Sequence, residues 1–194
     1  MDTIRDAILS SAEARMRRGG FHGFSFRDLA ADVGIKSASV HYHFPTKADL
    51  GVSLMRSYQE QMLAAFGDPE DDRTLADKLG AVRDAYRRKL SKAGICLCGI
   101  LAAEHAGLPE PVREALKDYL VACRNWLISA FAGSRAGEPE KRALVFSSAL
   151  QGGLLMSHAM GDPKLFNQVT DEAIKAQVQS SVKGKYQRST QRTR

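Results

Sequence analysis

The fold is decided by residues 25–50, SFRDLAADVGIKSASVHYHFPTKADL. Ser25 and Asp28 have the spacing of a capping box, which predicts that a helix begins directly after Ser25. Gly34 stands where that helix would end in a left-handed residue, and Pro45 ends a second short helix. Two short helices joined by a glycine-containing turn have the shape of a helix-turn-helix, whose second helix can lie in the major groove of DNA.

The second helix carries a surface suited to that position. Val40 and Phe44 are four residues apart and can hold the helix to the core, whereas its N-terminal half is small or polar. Lys36 cannot cap a helix, so we expect the cap to move to Ser37. The same residues would also suit an ordinary helical hairpin with a solvated polar face, because many helix pairs share this turn.

This segment resembles the tetracycline-repressor (TetR) family of bacterial transcription regulators over roughly residues 4–54. The matching residues are Arg27, Asp28, Leu29, Ala30, Gly34, Ile35, Tyr42, His43, Phe44, Lys47 and Leu50. The family often has Ser or Thr where Lys36 stands, and Gly where Ala38 stands. Carried over position by position, the resemblance implies contacts to the bases or phosphates of operator DNA from Ser25, Arg27, Lys36, Ser37, Ala38, Ser39, His41, Tyr42, His43 and Lys47.

Composition limits the class of protein. An apolar fraction of 44% in 194 residues is ordinary for a globular protein, and no apolar stretch approaches the roughly 20 residues of a membrane span. There is no signal-peptide pattern, and an odd number of cysteines, three, argues against a secreted disulfide framework. We therefore expect a cytoplasmic protein, and the resemblance to the TetR family implies a bacterial one. The net charge of +6 is weak evidence for DNA binding, because residues 183–194 hold five basic side chains and no acid.

Apolar positions at helical spacing continue along the chain, and no segment shows the clear period-two alternation of a strand. We therefore predict an all-α fold of about nine helices. Residues 1–46 would form a three-helix DNA-binding domain, residues 47–182 a helical ligand-binding and dimerisation domain, and residues 183–194 a basic disordered tail. The family resemblance implies the same arrangement.

The helix predicted from Pro139 to about Gly161 is apolar on every side over residues 143–156. A helix that is apolar all round is buried all round, and the chain has little left to cover a second face. We expect a second copy of the protein to cover it, with contacts at Ser148, Gly152, Gly153 and Leu155. The alternative is a central helix in a monomeric bundle.

Cys96 and Cys98 stand at the start of a predicted short helix that ends at His105. Two residues apart on a helix is about 200° of rotation, so their thiols should point in opposite directions and share neither a bond nor a metal. Residues 96–104 resemble a segment of a subset of these regulators, in some of which a cysteine senses electrophiles or oxidants; Cys96 is the better match. The alternative is that both are small buried hydrophobes.

The sequence contains no catalytic constellation and no metal-binding or cofactor motif, so we expect neither an enzyme nor a cofactor. We expect instead a small-molecule pocket between helices four to eight. Its candidate residues are Tyr58, Met62, Phe66, Tyr86, Ile100, Trp126 and Phe146, with His105 as a polar anchor.

The expected protein is a homodimeric repressor that an unidentified ligand releases from a near-palindromic operator. The alternatives are a regulator switched through Cys96, and a small-molecule-binding protein or enzyme without DNA function.

Overall fold

The computed structural model describes residues 3–90, 96–134 and 137–191, with side chains as far as residue 180. Over these residues the fold is all-α and contains no strand. The helices are α1 (Thr3–Gly19), α2 (Phe26–Val33), α3 (Ser37–His43), α4 (Lys47–Phe66), α5 (Leu75–Leu90), α6 (Leu97–Ala103), a 3-10 turn (His105–Gly107), α7 (Glu110–Ala132), α8 (Pro139–Met160) and α9 (Pro163–Gln191). The predicted all-α class is confirmed.

The C-terminal residues differ from the sequence expectation. We predict a disordered tail over 183–194, whereas the backbone of α9 is helical as far as Gln191. Lys, Gln and Arg are good helix formers, so the polar sequence extends a helix that has already begun. Residues 192–194 lie outside the described residues.

The first compact unit consists of Met1–Gln61 and Leu90–Leu120. One side of α1 faces its core, with Ile8, Ala12 and Met16 fully buried. The approach of α4 to α7 requires a glycine at position 51, since a Cβ there would lie 2.9 Å from Val112 and 3.0 Å from an atom of the Phe21 ring. This unit contains α1, α2 and α3.

The second compact unit consists of Met62–Lys89 and Val121–Arg194. Here α8 packs along α9, and Gly153 faces Phe166 and Val169, where an added Cβ would make ordinary contacts at 3.4 Å. The buried Arg142 guanidinium joins the same two helices by donating to the Gln177 side chain at 2.9 Å and to the Gln177 carbonyl at 2.8 Å. An apolar contact and a buried polar contact thus hold this helix pair together.

Candidate nucleic-acid interface

The turn between α2 and α3 is fixed by local hydrogen bonds. The Ser25 N–H donates to the Asp28 carboxylate at 2.7 Å, and the Asp28 N–H donates to Ser25 Oγ at 3.4 Å, so the predicted capping box is confirmed. Gly34 has a φ of 75°, the left-handed conformation that ends α2, and its N–H donates to the Ala30 carbonyl. The direction in which α3 leaves the turn therefore follows from residues 25–34.

The N-cap of α3 is Lys36, and the expectation that the cap would move to Ser37 is wrong. Lys36 makes no side-chain capping bond, but its backbone is extended and its carbonyl accepts the Ser39 N–H at 2.9 Å. The helix can begin there because the backbone already has the geometry of an N-cap. Ser37 is consequently the first residue of α3, with its side chain half-buried.

The short helix α3 is buried on one side and open on the other. Val40 is fully buried and Phe44, at its end, is 1% exposed, whereas Tyr42 is 83% exposed. The His41 ring lies edge-on against the Phe26 ring, with 4.7 Å between ring centroids. Exposed side chains predicted to contact DNA are Ser25, Arg27, Lys36, Ala38, His41 and Tyr42, and half-buried ones are Ser37, Ser39, His43 and Lys47.

Lys47 has a second role that its sequence position does not suggest. Its ammonium donates to the Phe24 carbonyl and lies over the Phe24 ring, 4.2 Å from the centroid, and over the Phe21 ring at 5.3 Å. Burial lowers the pKa of this lysine from its usual value. The side chain therefore braces the loop before α2. An ammonium has three N–H donors, so the bond to Phe24 leaves donors for a phosphate.

An ion pair on the surface joins α1 to α2. The Arg15 guanidinium donates to both oxygens of the Asp32 carboxylate, at 2.6 and 2.8 Å, and the Ser11 hydroxyl donates to the same carboxylate at 2.5 Å. The bonds from Arg15 and Ser11 hold the pKa of Asp32 well below its usual range. Nothing in the spacing of these residues indicates this contact before the helices are placed side by side.

The loop after α1 is held by residues that follow α6. The Glu104 carboxylate accepts the Phe21 N–H at 2.7 Å, and His22 Nε2 lies 3.0 Å from the Gly107 carbonyl. Gly20 is left-handed, with a φ of 75°, and a Cβ there would lie 1.8 Å from Glu104 Oε1. Sequence reasoning missed this clasp because its two sides are more than 80 residues apart, although the Gly19-Gly20 pair indicates a sharp turn.

The residues predicted to form a ligand pocket lie in both units. In the first unit Tyr58 is buried against Tyr119, with 5.3 Å between ring centroids, while Ile100 is half-buried. His105 is exposed in the 3-10 turn, so its side chain does not line a buried cavity. Tyr58 and Tyr119 thus pack against each other within the core.

In the second unit the predicted pocket residues also pack together. Phe66 stacks on Tyr86, with 6.2 Å between centroids, and meets Trp126 edge-on at 5.3 Å. The Trp126 indole N–H donates to the Gly67 carbonyl at 2.7 Å. Met62 and Phe146 are buried as well. Two grooves of this unit, about 560 and 600 Å³, are lined by residues 76–84 with 171–175 and by residues 69–78 with 129–134.

Cys96 and Cys98 do not point apart, so that expectation is wrong. The helix begins at Leu97, which leaves Cys96 outside it as the N-cap, with φ −53° and ψ 132°, and the two Sγ atoms lie 3.0 Å apart. Both thiols are buried, and the Tyr58 hydroxyl lies 3.8 Å from Cys96 Sγ. The contact with Cys98 lowers the pKa of Cys96 to about 6, with further help from the Gly99 N–H and against the effect of burial. Cys123 is buried in the second unit.

One side of α8 is apolar and exposed. Large side chains on it are 53–65% exposed, and they are Leu144, Val145, Leu155, Met156 and Met160. Ser148 and Gly152 are exposed on the same helix, and a Cβ at Gly152 would meet no atom within 4 Å. Gly153 differs from the other three predicted interface residues, since it is buried against α9 of its own chain.

The described residues contain neither a candidate metal site nor a helix that could span a membrane. No three His, Cys, Asp or Glu side chains come together in a group that could hold a metal ion. No helix in the same residues is both long and apolar enough to cross a membrane.

Comparisons with known proteins place this chain beside bacterial transcription regulators. Residues 8–53 match the family model described as bacterial regulatory proteins of the tetR family. A TetR transcriptional regulator of Legionella pneumophila is 27% identical and superposes with a TM-score of 0.84, over 91% of this chain and 98% of that one. A transcriptional regulator of the TetR family from Agrobacterium tumefaciens is also 27% identical, with a TM-score of 0.83 over 90% and 97%. No curated protein sequence matches.

A more distant structure shares the fold. The reduced form of Escherichia coli NemR is 19% identical, with a TM-score of 0.72 over 87% of this chain and 95% of that one. At this identity the likeness concerns the fold alone. The comparisons favour a regulator over an enzyme, and they do not favour the alternative in which Cys96 is a redox switch.

Proposed function

Because the chain belongs to the TetR family of bacterial transcriptional regulators, we propose that it is a repressor. It binds a near-palindromic operator as a homodimer, and a small molecule releases it from that operator. The observation that carries the proposal is the exposed polar side of α3. A helix anchored by Val40 and open around the 83%-exposed Tyr42 has the geometry of a helix that enters a major groove.

The predicted contacts divide into two groups on this surface. Arg27, Ser37, Ala38, Ser39 and His41 are proposed to reach base edges, and Ser25, Tyr42, His43 and Lys47 to bind phosphates. Lys36 belongs to the same DNA-facing set. Base contacts would set the operator sequence, while phosphate contacts would fix the position of α3 in the groove.

Two copies are needed for a near-palindromic operator, because their recognition helices must enter successive major grooves about 34 Å apart. The apolar side of α8 supports a homodimer, since exposed patches of this kind on a water-soluble unit usually mark an interface. Leu155, 59% exposed, and the open surface at Gly152 are proposed to meet the second copy.

Release by a ligand requires that the ligand prefer the form of the dimer that does not fit the operator. The aromatic side chains proposed as its site are packed ring against ring, so a ligand would have to displace them. Trp126 would report the displacement in the second unit, because its indole touches Phe66 and donates to Gly67. A compound that changes Trp126 fluorescence and lowers operator affinity at the same concentration would support this part of the proposal.

The test of DNA binding is a selection from random-sequence DNA followed by affinity measurement on the selected operator. We expect Arg27→Ala to lower the affinity on the order of 10-fold, equivalent to ~1.4 kcal/mol. Arg124→Ala is the matched control, because it removes the same charge from an exposed position on α7. Equal effects of the two variants, or no selected sequence at all, would contradict the proposed interface.

The test of the dimer is sedimentation of Leu155→Asp. We expect the protein to become monomeric at micromolar concentration and to lose operator binding. Leu120→Asp, which alters an apolar side chain 41% exposed on α7, should leave the dimer intact. A monomeric wild-type protein would contradict the proposal.

A further inference from the structure

The thiols of Cys96 and Cys98 form a close pair in the first unit. Their Sγ atoms lie 3.0 Å apart because Cys96 precedes the first turn of α6 while Cys98 lies within it. This separation depends on the non-helical backbone of Cys96, because two residues two apart within a helix point about 200° away from each other. Both cysteines are needed to form this candidate site, so it differs from a site formed by a single reactive thiol.

The surroundings of the pair limit what can bind there. Cys96 is 5% exposed and Cys98 is 2% exposed, so a ligand must be small. The Tyr58 hydroxyl lies 3.8 Å from Cys96 Sγ, and the Arg17 guanidinium lies 5.6 Å from the centre of the Tyr58 ring. A neutral ligand would enter such a buried site at less cost than an ion, because a charged ligand would lose its hydration.

The distance between the sulfur atoms favours one kind of central atom. A tetrahedral zinc ion would hold two thiolates about 3.8 Å apart and needs further ligands, which no group of His, Cys, Asp or Glu in the described residues provides. A disulfide would need the sulfur atoms to approach to about 2.05 Å. Trivalent arsenic is pyramidal, binds soft sulfur ligands at nearly right angles, and accepts a hydroxide as its third ligand.

We propose that Cys96 and Cys98 together bind one atom of trivalent arsenic, which enters as neutral arsenous acid. The reaction is As(OH)3 + 2 RSH → (RS)2As–OH + 2 H2O. Two As–O bonds break and two As–S bonds form, each departing hydroxide takes up a proton from a thiol or from solvent and leaves as water, and no atom is oxidised or reduced. The site goes beyond the proposed operator binding and does not depend on it.

The test measures arsenic bound to the full-length protein after incubation with arsenite and desalting. We expect one arsenic per chain, removed by a small dithiol competitor. Cys96→Ser and Cys98→Ser should each weaken binding roughly 100-fold or more, since a second linked ligand adds a factor of 10²–10⁴. Cys123→Ser is the matched control and should bind arsenic as the wild type does.

Three results would overturn the proposal. One is arsenic binding that survives Cys98→Ser, which would leave a single thiol at Cys96 as the ligand. Another is the absence of bound arsenic in the wild type at millimolar arsenite. The third comes from X-ray absorption on the wild-type complex, where we expect two sulfur atoms per arsenic and any other number contradicts the site. This last measurement needs no variant, so it holds even if a serine variant fails to fold.

Discussion

The Glu104 clasp is the contact whose removal tests the structure of the first unit most directly. Glu104→Ala removes the carboxylate that accepts the Phe21 N–H at 2.7 Å, and Phe21 is almost fully buried. A hydrogen bond to a charged group contributes about 1.5–3 kcal/mol, so we expect the free energy of unfolding to fall by about 2 kcal/mol. For a chain of this length that corresponds to a decrease in Tm of roughly 4–8 °C.

The assay is urea and thermal unfolding followed by circular dichroism at 222 nm, a general signal of helix content. Glu104→Gln keeps an acceptor oxygen without the charge and should cost about 1 kcal/mol. Glu114→Ala is the control, because its carboxylate forms an exposed pair with Lys117, and it should change stability by less than about 0.5 kcal/mol. If Glu104→Ala is no more destabilising than Glu114→Ala, the clasp does not contribute to stability and the reasoning fails.

A double-mutant cycle with Gly20 sharpens this test. Gly20→Ala costs about 1–2 kcal/mol for the left-handed backbone, and its Cβ would also displace the Glu104 carboxylate. In the Glu104→Ala background only the backbone cost remains. The double variant should therefore be about 2 kcal/mol more stable than the sum of the single effects predicts, whereas additive effects would contradict the contact.

Further substitutions test three other contacts, two of them with a matched control. Because folding lowers the pKa of Asp32, the contribution of its carboxylate to the free energy of unfolding is complete above the unfolded pKa of about 3.9 and is lost as the pH falls below that value. Asp32→Asn should therefore be destabilising at pH 7 and progressively less so below pH 4. Urea titrations at each pH measure the difference. Gly51→Ala should cost about 1–3 kcal/mol by overpacking, while Gly80→Ala, whose Cβ meets nothing within 4 Å, should stabilise by about 0.5–1 kcal/mol. Arg142→Ala should cost about 1–3 kcal/mol because buried acceptors lose their donor. The exposed Arg124→Ala should cost less than about 0.5 kcal/mol, and thermal unfolding measures both.

The elements around residues 25–50 are predictable because their signals are local. Ser25 and Asp28 are three residues apart, and Gly34 needs only its own backbone conformation to end α2. Val40 follows from helical spacing against the same core. In each case the interacting groups are within a few residues of one another, so the sequence contains the whole interaction.

The remaining contacts depend on which helices and loops lie next to each other in the fold, and no local sequence pattern predicts this. Glu104 reads in the sequence as an ordinary acid near the end of a short helix, although it holds the loop at Phe21. The sequence predicts that the thiols of Cys96 and Cys98 point apart because the predicted helix begins one residue too early, and the observed start at Leu97 brings them together. The sequence also assigns Gly153 to the dimer interface, because an apolar helix does not reveal which of its sides α9 occupies.

The chain contains a single tryptophan, Trp126, and its surroundings make it a built-in spectroscopic probe. The indole lies in the second unit against Phe66 and is bonded to Gly67, so selective excitation reports the unfolding of that unit and is silent about the first. Circular dichroism records helices of both units. Superimposable transitions from the two signals would mean that the units unfold as one cooperative block, whereas separated midpoints would resolve a half-folded species in equilibrium.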